Sequence, residues 1–315
     1  MEKVANLTQK ENINLSKLSF NFCDDTFIEE YFISRIREME DKYQWIEKNR
    51  EKLMAHKNEV DDLIKNGLIQ DGNIETIWQY RLDRYKKDHE RVLKVKSYLE
   101  SNIEYIRENV AKKLSIFFSV FDLKKTNVNF TINKKADFCV ERDIIVDLVR
   151  LGVKNNPLQD AINGITHESF HVWMGEKSDW RDSNIDEKSD LDIKNQIVFR
   201  MIDEGLAVLV GGQSLGEHYE RQGKKYEDCI QESFSTFNIL LNEQNLKESY
   251  KKGDGFKNMG YCYVVGNEIC KTILNKEGIE NFKKLILETK ENLQKLIELY
   301  QEICNSNEKL PKIEI

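Results

Sequence analysis

Two histidines four residues apart, with a glutamate beside the first, are the residues best placed to do chemistry: His167-Glu168-Ser169-Phe170-His171. On an α-helix, positions i and i+4 stack on one face. The imidazoles of His167 and His171 would therefore converge on one point, which is what H-E-x-x-H offers a zinc ion, with Glu168 as general base towards the water such an ion activates. A catalytic zinc site takes a third protein ligand and keeps a fourth position open. Glu204, in Asp203-Glu204-Gly205-Leu206-Ala207, is the candidate. Carboxylates are expected behind the histidines to orient the rings, and Asp203 and Asp147 are the candidates.

These residues need two helices. Asn156 is a suitable N-cap and Pro157 a suitable first helical residue. Leu158, Ala161, Ile162, Ile165, Ser169, Val172 and Trp173 then form an apolar stripe, with the histidines off it. Gly175 is expected to end this helix in the left-handed conformation. Val198, Met201, Ile202, Gly205 and Leu209 mark a second helix, closed by Gly211-Gly212. The small Gly205 and Ala207 would let another helix approach closely. Between the two helices, 176–194 reads as a charged, solvated insertion containing Trp180. Before them the period changes from helical to alternating: Val128, Phe130 and Ile132 predict a half-buried strand, and Ile144–Leu148 a second.

H-E-x-x-H followed by a helix bearing E-G-x-A resembles the gluzincin metallopeptidases, and most closely the bacterial families described as predicted zinc-dependent proteases. The resemblance covers roughly residues 122–290. It implies a zinc peptidase with His167, His171 and Glu204 as ligands, Glu168 as base and a peptide or protein as substrate. It also implies a small sheet ahead of the active-site helix, with Ile144–Leu148 or the segment just before it as the edge strand that binds extended substrate. Tyr261-Cys262-Tyr263-Val264-Val265-Gly266 resembles the tyrosine-x-x-glycine helix of those families. Tyr263, with Tyr261 as alternate and His218 as a minor candidate, would steady the oxyanion. The chain departs from thermolysin-like members in the longer separation of His171 from Glu204. It also has Val208 where those enzymes carry an aspartate four residues after the third ligand.

The rest of the chain suits long amphipathic helices: 33% of its 315 residues are charged, 40% hydrophobic, and only two are proline. Residues 1–22 read as a polar lead. Helical periodicity then runs over 25–65 and 74–109, with a turn at Gly67 and Asp71-Gly72, predicting an N-terminal helical hairpin or arm on which His56 and His89 are surface residues. A buried helical stretch over 110–123 follows. The expectation is an α+β fold, mainly α, divided into a helical region 1–121, able to meet a protein partner, and a gluzincin-like domain 122–315. A net charge of −7 without a concentrated basic surface argues against nucleic acid. No apolar run is long enough to span a membrane and the N-terminus lacks a signal-peptide core. The six cysteines are scattered without a C-x-x-C pair, so reduced thiols in the cytoplasm are expected. The competing reading is a non-catalytic zinc-binding sensor or interaction module on the same fold.

Overall fold

A computed structural model describes residues 12–48, 57–123, 125–132, 137–175, 189–220, 223–242, 246, 261–289, 294–307 and 310–313. The structure is mainly helical with a small sheet. The strands are β1 (Asn12–Asn14), β2 (Leu18–Phe22), β3 (Val120–Asp122), β4 (Thr126–Thr131), β5 (Phe138–Val140) and β6 (Asp143–Asp147). The first helices are α1 (Asp25–Lys48), α2 (Lys57–Lys65), α3 (Ile74–Glu100), α4 (Ile103–Phe117) and α5 (Leu148–Gly152). They are followed by α6 (Pro157–Gly175), α7 (Asp190–Gly211), α8 (Leu215–Glu220), α9 (Tyr226–Asn242), α10 (Tyr261–Glu277), α11 (Ile279–Thr289) and α12 (Gln294–Ser306).

Of the stretch 1–22 read as a polar lead, 1–11 lie outside the described residues, and 12–22 carry two strands. β1 pairs in parallel with β3, and β2 in parallel with β4. The four-stranded sheet runs β2-β4-β6-β5, with only β5 antiparallel. One face carries Leu18, Val128, Phe130, Ile144 and Val146 into the core. The other is polar, where Asn21 donates to Asn129, and Asn127 to Asp143. Arg107 of α4 ties this N-terminal piece down, donating to the carbonyls of Leu15 and Leu18 at 3.2 and 2.6 Å. Strand pairing and the main apolar core therefore run across the 121/122 division.

α1 and α3 form the expected hairpin, joined by Lys96–Asp25 (2.7 Å) and by Tyr43 against Trp78. His89 is not a free surface residue, since its ring lies 5.2 Å from Phe32. The second helical pattern breaks at Ser101-Asn102, and α4 carries Ile106, Val110, Leu114 and Phe117 into the core. The buried stretch 110–123 is helical only to Phe117 and then becomes β3. β6 is interior, paired on both sides, so the sheet edge near α6 is β5, the segment just before it. Segment 176–188, His56 and the His218 side chain lie outside the described residues.

The candidate metal centre

α6 begins as its sequence dictates. Asn156 Oδ1 accepts from Gln159 N at 3.2 Å, and Pro157 takes the first turn, where a missing N–H is harmless. Gly175 is its last helical residue and is not left-handed. The helix is more deeply placed than an amphipathic stripe requires: from Ala161 to Met174 only Asn163 and Trp173 escape full burial. The face carrying His167, Glu168 and His171 is thus covered as well.

What covers it is α7. Ser189 caps its start, accepting from Asp192 N, and residues 190–194, expected in the charged insertion, form its first turn. Gly212, left-handed at φ 65°, ends it, and Lys113 of α4 donates to the carbonyl of Gly211 at 3.2 Å. α7 is squeezed between α6 and α10. At Gly211, a Cβ would lie 3.0 Å from both Asn163 O and His167 Cβ. At Gly205, a Cβ would lie 2.5 Å from Gly266 Cα and Asn267 N. The close approach expected of Gly205 is therefore real, and its partner is Gly266, the glycine of the tyrosine-x-x-glycine segment.

This packing brings three ligand atoms together. His167 Nε2 and His171 Nε2 are 3.0 Å apart, and Glu204 Oε2 lies 3.2 Å from His171 Nε2 and 3.5 Å from His167 Nε2. Donors held at roughly 2.0–2.1 Å around a tetrahedral ion would be about 3.3 Å apart. The donor set therefore fits a metal ion, and the three residues are all buried. Glu168 Oε1 lies 4.0 Å from His167 Nε2, at the rim of the same group.

The charges are coupled. Burial by itself would push His171 down, but the carboxylates of Asp203 and Glu204 outweigh it and hold the imidazole well above its ordinary value. Burial alone would raise Glu204, and the charge of His171 with hydrogen bonds from both histidines brings it well below the usual carboxylate range. Glu168 is raised by burial, against a smaller pull from the histidines.

Of the two acids expected behind the rings, Asp203 is there, with Oδ2 3.0 Å from His171 Nδ1. Asp147 instead caps α5, accepting from Val149 N. Tyr263 is half-buried, packed with a satellite cluster of Val208, Leu215, Tyr219, Cys229 and Val264. Tyr261 is buried edge-on to Phe237, at 5.5 Å between ring centres. Asp137 and Arg150 went unanticipated. The Asp137 carboxylate pairs with Arg150, accepts from Asp147 N at 3.0 Å, and fills the space a Cβ on Gly164 would need. That ties the start of β5 to α6 one turn before His167. The signal was present: a glycine inside a helix costs stability and asks for a packing reason.

The family described as "Putative zinc dependent peptidase (DUF5700)" matches the chain over residues 8–309. No curated protein and no solved structure matches it.

Proposed function

The chain belongs to DUF5700, and from that premise we propose that it hydrolyses peptide bonds with a zinc ion held by His167, His171 and Glu204. The observation that carries this reading is the spacing of the three ligand atoms, 3.0, 3.2 and 3.5 Å apart. Two imidazoles and one carboxylate are also the donor set of peptidase-type zinc sites. Zinc, when bound there, supplies Lewis-acid polarisation of the scissile carbonyl and a water of lowered pKa.

The protein's own residues do the rest. Glu168 takes the proton of the attacking water and delivers it to the leaving nitrogen. Its burial and its place beside His167 suit a base working near neutral pH. By the resemblance of its helix to the tyrosine-x-x-glycine helix of the bacterial families, Tyr263 is the proposed oxyanion contact. Strand β5, at the edge of the four-stranded sheet with Phe138 and Val140 exposed, is the proposed place for an extended substrate to add as a further strand. The two helices and the sheet edge together support a gluzincin reading. Within it, 122–315 carries the metal-ligating residues, and the hairpin of α1 and α3 is the part proposed to meet a protein partner. No helix among the described residues is long and apolar enough to cross a membrane. No disulfide joins the six cysteines among the described residues, and the cytoplasm is the proposed location.

The test is metal content beside activity. Wild type should hold one zinc per chain. His167→Ala and Glu204→Ala should each lose it or bind it far more weakly, because each removes one of three ligands. Zinc retained equally by Glu204→Ala would overturn the ligand set. Zinc bound without hydrolysis of denatured proteins or peptide libraries would favour the sensor reading.

Proton competition gives a second expected result. Metal ligation needs His171 deprotonated, and in the metal-free protein its pKa is raised. The proton is thus held to higher pH than on an ordinary histidine. Zinc affinity should climb from about pH 6 to above pH 7 and fall as pH drops through the raised value. Calorimetry in buffers of different ionisation enthalpy should show proton release. An affinity flat over that range would contradict the arrangement.

A further inference from the structure

We propose that Asp203 is the positioning residue of this centre, holding His171 with Nε2 turned to the metal point. The assignment rests on the metal reading above. Asp203 and Glu204 are neighbours on α7, and side chains of consecutive helical residues diverge by about 100°. Both nevertheless reach the same imidazole: Asp203 Oδ2 is 3.0 Å from Nδ1 and Glu204 Oε2 is 3.2 Å from Nε2. The ring is gripped at both nitrogens by one turn of one helix. Asp203 is 3% exposed, and a carboxylate so deeply buried is costly unless it is paired.

The rotation of α7 that aims these two side chains is set by its contact with α10. There Gly205 meets Gly266 without room for a Cβ. The other histidine is held differently. His167 Nδ1 is buried and has no hydrogen-bond partner among the described residues. Its Cβ is backed instead by the bare Cα of Gly211. One imidazole is therefore steered by a charge and the other by packing. The carboxylate oxygen stands off the N–H axis of His171, so the contact is a close charge pair in which a small ring rotation completes the hydrogen bond. A carboxylate at Nδ1 selects the tautomer whose Nε2 lone pair is free for ligation and strengthens it as a donor.

The experiment compares full-length wild type, Asp203→Asn and Asp203→Ala, each stripped of metal. Zinc affinity is read by chelator competition, the cobalt(II)-loaded visible spectrum is recorded, and metal-free stability is followed in urea. Zinc affinity should fall about tenfold in Asp203→Asn, which can still accept a hydrogen bond, and up to about a hundredfold in Asp203→Ala. The cobalt spectrum should shift in the same order. Wild-type affinity and an unchanged cobalt spectrum in both variants would overturn the assignment, whatever their urea midpoints, since a purely structural acid would move stability alone. Should Asp203→Ala fail to fold, the isosteric Asp203→Asn decides. A wild type that binds no zinc overturns the metal reading and this assignment with it; a zinc-binding wild type with unaffected variants overturns this assignment alone.

Discussion

Glu168→Gln should leave zinc bound and reduce hydrolysis about 10²–10⁴-fold, the range a positioned general acid–base supplies. Glutamine has the shape of glutamate, so it keeps the packing of a side chain that is 6% exposed. It is not among the three residues whose ligand atoms converge, so zinc stoichiometry should not change. What it loses is the proton acceptor. In the native chain burial raises the Glu168 pKa from its ordinary value, which makes the carboxylate a stronger proton acceptor. Turnover on any substrate that wild type cleaves, measured beside zinc content, checks this. A variant that cleaves as well as wild type would remove Glu168 from the mechanism. One that loses zinc as well would make it a ligand or a support of the site.

Gly266→Ala should be the most destabilising single methyl in the described structure. A Cβ there would collide with the carbonyl oxygen of Met201, lying 2.8 Å from its carbon and 3.0 Å from the Cα of Gly205. These are backbone atoms of α7, with no flexible side chain to swing aside. Inserting a methylene into a packed core commonly costs about 1–3 kcal/mol. With two helix backbones to force apart, about 3 kcal/mol or more is expected. The displacement would also carry Glu204 away from α6, so metal affinity should fall with stability. Gly175→Ala is the control. It too is a helical glycine, with an ordinary φ, but nothing lies within 4 Å of its Cβ position. Replacing it should be neutral or stabilising by about 0.5–1 kcal/mol. Urea unfolding of the metal-free proteins compares the two. Equal midpoints would mean that α7 and α10 are looser than the Gly205–Gly266 contact implies.

What the sequence determined by itself is whatever depends on near neighbours along the chain. Asn156-Pro157 starts α6, the i, i+4 spacing puts His167 and His171 on one face, and Gly212 ends α7. Each follows from hydrogen bonding or sterics within one or two turns, so residue type and spacing suffice. The long helices of the first hundred residues were legible for the same reason, since many turns repeat one periodic signal. The short strands were not. β1 and β2 have three and five residues, too few for alternation to stand out, and their place was settled by parallel partners more than a hundred residues away. Ile144–Leu148 read as a strand, which holds to Asp147 while Leu148 opens α5, but whether it was edge or interior depended on β5, whose three residues show little pattern.

At the centre, the tertiary structure decided three further matters. Glu204 comes within 3.2 Å of His171 because α7 is clamped between α6 and α10, and that clamp needs two glycines sixty-one positions apart, Gly205 and Gly266. Asp203 rather than Asp147 meets His171 because the rotation of α7 about its axis is fixed by that same contact. Asp137 reaches Gly164 only because β5 folds back on β6. Distances along a sequence carry no information about which face of a helix its neighbours will occupy; burial and close packing supply it, and they exist only once the helices have met.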